Sequence, residues 1–228
     1  MGRQLRCSVV AEGFHPPVEE YLKTVYELQE AGLPPIRARL AERLHHTPPT
    51  VTEMVRRLID EGYLEAGDRS LRMTDQGRRR AESVVRKHRL AERLLTDVIG
   101  LKWYETHREA ARWEHVISDE VEQRLVVVLG NPGACPHGNP IPGSGAPMLA
   151  LSALTSAQPG QLLRLERVSE TLETDLDTLC YLDAHALRPG AAAAVTERAP
   201  DGTLTLEVDG DTVAIGPSLA AQLYVATA

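Results

Sequence analysis

The sequence predicts an α+β chain in three parts: a winged helix-turn-helix, a second helical region and a small β domain. Three observations carry this prediction. Apolar residues recur at helical spacing from Val18 to about Val98, interrupted once by a short alternating segment. Residues 131–160 then collect Pro132, Pro136, Pro140, Pro142, Pro147 and Pro159 among glycines, which is linker composition. Beyond it lie short alternating runs, Gln161–Val168 and Thr203–Val208 among them, bounded by Arg188-Pro189-Gly190 and Asp201-Gly202, with one helix near Asp175–Ala186.

Each element has a local cause. Val18, Leu22, Val25 and Leu28 form the stripe of a first helix, which Gly32 and Pro34-Pro35 end. Ile36–His45 is a second, short helix. Thr47-Pro48-Pro49 starts a third, because the Thr hydroxyl can accept from orphan backbone N–H groups while Pro occupies the first turn without losing a bond. That helix buries Val51, Val55, Leu58 and Ile59 and leaves Thr50, Thr52, Glu53, Arg56 and Arg57 outside. After Gly62, Tyr63-Leu64-Glu65 and Leu71-Arg72-Met73 form a hairpin with Arg69 at its tip. A long helix is expected from Tyr104 to Leu129, stopped by Gly130-Asn131-Pro132-Gly133. Interaction modules share the pattern of three helices and a hairpin, but exposed hydroxyls and arginines are the donors that phosphates and base edges require.

Charge is distributed unevenly. The formal net charge is -7, and residues 139–228 carry 4 basic against 11 acidic side chains, so the whole deficit lies there. Residues 37–93 carry 14 basic against 9 acidic side chains, so overall acidity does not exclude a nucleic-acid partner. No apolar run approaches the roughly 18 residues of a membrane helix, and Met1–Val10 lacks the apolar core of a signal peptide. The expectation is a cytoplasmic protein with no membrane partner. Cys7, Cys135 and Cys180 are odd in number and widely spaced, which gives neither a disulfide framework nor a CxxC metal knuckle.

Eight histidines against one Phe point to imidazole chemistry. His88 and Glu92 stand at i, i+4 on a stripe shared with Val84, Val85 and Leu95, so both face something buried and need a partner. His107, Ala111, Glu114 and His115 share one face of the next helix. A single His/Glu pair is usually a hydrogen-bonded core histidine or a helix salt bridge. Three histidines with acidic companions favour a divalent cation with N and O ligands. At about 1.5 Å per residue, His107 lies about 11 Å from the Glu114–His115 pair, too far for one ion. His107 would then pair with His88 and Glu92, while Glu114 and His115 need another carboxylate, for which Glu20 is the candidate.

The stretches Leu40-Ala41-Glu42-Arg43-Leu44, Asp68-Arg69-Ser70-Leu71, Arg86 to Leu95, Arg112-Trp113-Glu114-His115-Val116, Ser118 to Glu122 and Gly138-Asn139-Pro140-Ile141-Pro142-Gly143 resemble the diphtheria toxin repressor family of metal-dependent regulators. The resemblance implies a winged-helix DNA-binding domain over 1–82, a metal-binding and dimerisation domain over 83–145 and an SH3-like small β-barrel over 146–228. It implies a homodimer that binds a double-stranded DNA operator when metal is bound, two metal sites per subunit, and metal acting as co-repressor of uptake or homeostasis genes. By position, an ancillary site takes His88, Glu92, His107 and Glu173, with Asp175 or water in place of a Gln that is here Leu176. The primary site takes Glu20, position 111, Glu114 and His115.

The departures from the family pattern are informative. The prototype has Met where Glu20 stands and Cys where Ala111 stands, so both sulfur ligands are gone. Manganese-sensing members have an acid at each of these positions. The oxygen-rich set favours Mn²⁺, with Fe²⁺ next. Arg89 and Asn139 match an anion-binding pair whose Ser partner is here Cys135. The DNA-facing set is Arg37, Pro49, Thr50, Thr52, Glu53 and Arg56, with Arg69 and Ser70 on the wing, and Glu53 replaces a base-contacting Gln. Two alternatives compete: a metal-dependent hydrolase, since His/Glu sites can activate water although no HExxH is present, and a winged-helix regulator whose metal sites are vestigial because Ala111 removes a ligand.

Overall fold

The computed structural model describes residues 17–147 and 149–227. The expectation for Met1–Val10, and Cys7 with it, lies outside the described residues. Helices α1 (Pro17–Glu30), α2 (Arg37–Arg43) and α3 (Pro48–Asp60) are followed by strands β1 (Leu64–Ala66) and β2 (Leu71–Met73), which pair antiparallel with Leu64 opposite Met73. Thr47 caps α3 by accepting from the Thr50 N–H, with Pro48 in the first turn. The stripes meet as their spacing requires: Leu22, Val25 and Leu28 of α1 pack with Leu40, Val51, Val55 and Leu58 in one core. Ile59, expected inside, is only partly buried at the edge of that core.

Helix α4 (Asp75–Leu94), capped by Thr74, runs on through a π-helical turn, Leu95–Ile99, that ends at Gly100 with φ +82°. Helix α1 packs along it, and so does α5 (Trp103–Trp113). The single long helix expected over Tyr104–Leu129 is two helices, α5 and α6 (Asp119–Val128). Local chemistry decides the break: Ser118 accepts from the Val121 N–H and precedes Asp119, Glu120 and Glu122, an N-terminal signal strong enough to restart the chain. Residues 114–117 form the turn between the two helices.

The stretch that composition marks as a linker is built in part as structure. Cys135, His137, Asn139 and Ile141 are all buried. The Cys135 N–H donates to the Asn139 carbonyl, and the Ile141 N–H donates to the Gly133 carbonyl. Gly138 lies at φ +85°, where an added Cβ would meet the Glu166 carbonyl oxygen at 1.9 Å, so only glycine permits this approach to the β domain.

That domain is a six-stranded antiparallel sheet of β3 (Ser152–Ala153), β4 (Leu162–Val168), β5 (Ala192–Arg198), β6 (Leu204–Val208), β7 (Asp211–Ile215) and β8 (Leu223–Thr227), in the order β3-β8-β4-β5-β6-β7. Helices α7 (Glu170–Glu173), α8 (Leu176–Ala184) and α9 (Pro217–Ala220) close it, giving an SH3-like small β fold around one core. Trp103 of α5 belongs to the same core, and its Nε1–H donates to Asp183 Oδ1 at 2.6 Å. Buried indoles usually find such a partner. The β domain is thereby fastened to the helix that carries His107.

Candidate metal centre

Two clusters of ligand-type side chains form where α1, α4, α5 and α7 meet. In the first, α5 ends at Trp113, so Glu114 and His115 leave the helix on the turn that faces α1. His115 Nε2 lies 2.7 Å from Glu20 Oε1, and Nδ1 lies 2.6 Å from Glu19 Oε2. Glu114 is 1% exposed; Lys23 Nζ donates to its Oε2 at 2.7 Å, while Oε1 is 3.2 Å from His115 Nε2 and makes no hydrogen bond. Burial acts to lower the His115 pKa, but hydrogen bonds to Glu19 and Glu20 outweigh it and carry the imidazole up to about 9. Burial acts to raise the Glu114 pKa, and the charges of Lys23 and His88 bring it down to about 2.

The second cluster is His88, Glu92, His107 and Glu173. His88 Nε2 is 3.2 Å from Glu92 Oε1 and 3.1 Å from His107 Nδ1, and His107 Nδ1 is 2.8 Å from Glu173 Oε2. The spacing of His88 and Glu92 does what was expected, turning both inward from α4. Glu173 arrives from α7, whose N-terminus Ser169 caps through the Leu172 N–H. His137 comes to the same place from the Pro/Gly stretch, with Nδ1 3.3 Å from both Glu92 Oε1 and Glu173 Oε2. Burial alone would raise the Glu92 pKa, yet the charges of His137 and His88 hold it well below the usual carboxylate range.

These residues fit a divalent cation. Glu92 Oε2 and Glu114 Oε1 are buried and without a hydrogen bond among the described residues, a costly state for a carboxylate unless a cation completes it. Carboxylate and imidazole are the donors that such an ion takes.

Other expected site residues fall elsewhere. Asp175 is exposed and caps α8, accepting from the Thr178 N–H and hydroxyl, so it is not in the second cluster. Its correction has a simple cause: an Asp ahead of a helix meets orphan N–H groups sooner than a distant ion. Arg89 is fully buried, with Glu30 Oε2 and Glu170 Oε1 each 2.5 Å from Nη2. Asn139 donates to the Val168 carbonyl and to Glu173 Oε1. Two internal carboxylates thus fill the guanidinium that the resemblance offers to an anion. Sequence reasoning missed Glu19, Lys23 and His137, and placed Cys135 beside the Arg89–Asn139 pair and not beside a metal cluster. Glu19 and Lys23 lie beside Glu20 and could have been flagged, whereas the linker composition concealed His137.

The residues expected to face DNA are exposed, except Ser70, which is half-buried. Pro49, Thr50, Thr52, Glu53 and Arg56 are exposed along α3, as are Arg37 and Arg69. Arg37 and the wing residues Arg69 and Ser70 line one cavity of about 180 Å³. Thr52 is already engaged, its hydroxyl donating to the Pro48 carbonyl at 2.8 Å.

A winged helix beside a buried carboxylate and imidazole centre, with an SH3-like domain supplying one donor, defines a metal-responsive DNA-binding protein. Residues 14–70 match the iron-dependent repressor N-terminal DNA-binding domain, residues 74–143 its metal-binding and dimerisation domain, and residues 153–227 the FeoA domain. The chain is 44% identical over 205 residues to the iron-dependent repressor IdeR of Mycobacterium tuberculosis, covering 84% of this chain and 88% of that one. It is also 44% identical over 214 residues to the diphtheria toxin repressor of Corynebacterium diphtheriae, covering 89% and 93%. The solved structure of a manganese-dependent transcriptional repressor in complex with manganese superimposes with a TM-score of 0.84 at 30% identity, over 92% of this chain and all of that one. The chain belongs to the diphtheria toxin repressor family of metal-dependent transcriptional repressors.

Proposed function

We propose that this chain is a metal-activated repressor in which Mn²⁺, or Fe²⁺ as the second choice, occupies the Glu20, Glu114 and His115 cluster and switches the winged helix toward operator binding. The observation that carries it is the joining of two domains at one cluster: Glu20 comes from α1 of the DNA-binding unit, and Glu114 and His115 come from the turn after α5. A bound ion supplies a compact double charge that favours the arrangement in which these three donors converge. It shifts the population only by its differential affinity for that arrangement. Glu20, Glu114 and His115 hold the ion, while Lys23 and Glu19 set the charge around it.

Manganese is favoured because no sulfur lies in this cluster among the described residues and oxygen-rich sets suit harder ions. Iron is the second reading because the relative from Mycobacterium tuberculosis, at 44% identity, is described as an iron-dependent repressor. The His88, Glu92, His107 and Glu173 cluster is read as a second site in each subunit. The chain would act in the cytoplasm as a homodimer: Val98, Ile99, Val116, Val121, Val127 and Val128 leave an exposed apolar surface around α6 that a second copy would cover. No helix is long and apolar enough to cross a membrane among the described residues. The relatives described above support the repressor reading and not the hydrolase alternative.

The test is operator binding titrated separately with Mn²⁺, Fe²⁺ and Zn²⁺ under reducing conditions and reversed by chelator. Mn²⁺-dependent binding that vanishes in Glu20→Ala and His115→Ala, with the dimer intact, supports the reading. Binding indifferent to chelator overturns it and leaves the vestigial alternative.

A further inference from the structure

Neither the Glu20, Glu114 and His115 set nor the His88, Glu92, His107 and Glu173 set includes a sulfur donor, yet Cys135 lies close to the second set. That thiol is fully buried and lies beside the second cluster. Cys135 Sγ is 3.9 Å from His137 Nδ1, and Glu92, Cys135 and His137 each bring a ligand atom within 4.8 Å of the others. With Zn–S near 2.3 Å and Zn–N near 2.0–2.1 Å, sulfur and nitrogen on one ion stand at most about 4.4 Å apart, so the Cys135–His137 spacing needs no rearrangement to fit.

Two further observations point to a ligand. His137 Nε2 is 3.0 Å from the Trp103 carbonyl, to which it donates, so Nδ1 is the nitrogen turned toward Glu92 and Glu173, where it gives up its proton to offer a lone pair to an ion. A ring nitrogen oriented this way by a backbone carbonyl is the usual arrangement of a metal-binding histidine. Glu92, wholly buried, keeps one oxygen without a hydrogen bond while the other faces nitrogens of His88, His107 and His137.

We propose that Cys135 and His137 extend the second cluster into a thiolate-containing site, and that it takes a borderline ion of the Zn²⁺ or Fe²⁺ kind in preference to the ion of the first cluster. This rests on reading the His88 cluster as a metal site. On binding, the Cys135 S–H bond breaks, the sulfur's electron pair goes to the ion and the proton leaves to solvent. Soft and hard donors are thereby divided between two neighbouring sites, so one chain responds to two metals.

Co²⁺ is the probe, added to the full chain with Cys7→Ser and Cys180→Ser so that Cys135 is the sole thiol. The expected result is a sulfur-to-cobalt charge-transfer absorption that saturates at one ion per chain, persists in Glu20→Ala, and disappears in Cys135→Ser. His137→Gln, which can still donate to the Trp103 carbonyl, is expected to weaken that ion by about tenfold or more. Two bound ions with no charge-transfer band would overturn the assignment of Cys135. An unchanged affinity in His137→Gln would overturn that of His137. A single ion, lost in Glu20→Ala, would remove the second site altogether and is distinguishable from both. Thermal unfolding of each variant without metal separates a lost ligand from a lost fold.

Discussion

His88 Nδ1 lies 2.5 Å from Glu114 Oε2 while its Nε2 faces Glu92, so a single imidazole has one nitrogen in each cluster. His107 lies within α5 and Glu114 just past its end, and α4 bridges the two from the side. The two ions are expected to be coupled: His88→Ala should weaken the second site by at least tenfold and also change affinity at the first, whose ligands it does not touch in sequence. Calorimetric titration of wild type and variant measures both steps, and an unaltered first step would refute the coupling.

Lys23 occupies the space between the clusters, with Nζ 2.7 Å from Glu114 Oε2 and 3.3 Å from His88 Nδ1. It serves the metal-free protein as an internal cation. Lys23→Gln should therefore destabilise the metal-free chain by about 3 kcal/mol, the scale of breaking a buried ion pair, and raise Mn²⁺ affinity. Thermal melts with and without metal test both halves, and a variant that loses stability and metal affinity together would contradict the account.

The pH dependence follows from His115, whose ordinary pKa of 6.5 is carried up to about 9. In metal-free protein the stability contributed by charged His115 is complete below pH 6.5 and is lost as pH rises through about 9. An ion needs the neutral ring, so Mn²⁺ must displace that proton and its affinity should climb across the same window. Binding measured in two buffers of different ionisation enthalpy reports the released proton. A flat affinity over that range would show that His115 is not displaced.

At the DNA face, Arg69→Ala is expected to weaken all sequences about equally and to flatten the salt dependence. Thr52→Ala should alter discrimination among operators by ~1–3 kcal/mol, provided the hydroxyl turns from Pro48 to a base edge. Gel shifts over a salt series with specific and random duplexes separate the two. Equal losses on both duplexes for Thr52→Ala would remove it from the groove.

Much of this was legible because it is local. The Val51, Val55 and Leu58 stripe, the Thr47 cap and the inward pairing of His88 with Glu92 depend on residues within two turns of each other. The split of α5 from α6 was legible too, in Ser118-Asp119, but periodicity across the junction outweighed the cap in the reading. Lys23 and Glu19 enter the centre only because α1 packs along α4, which spacing within one helix cannot disclose. The place of His137, and of Cys135 beside the second cluster, was hidden for a different reason: proline and glycine fix turns as readily as they loosen chains, and composition does not distinguish the two.

Trp103 belongs by chain position to the middle region and by packing to the β domain. One helical turn further on, the same helix carries His107, and the backbone carbonyl of Trp103 itself accepts from His137. Recombination at the Pro/Gly stretch would consequently cut through a single inherited unit. A chimera that borrows a relative's β domain from residue 146 onward would have to rebuild the socket for Trp103 before it could present a donor to α4. Exchange that begins ahead of Trp103 would carry anchor, loop and sheet across together.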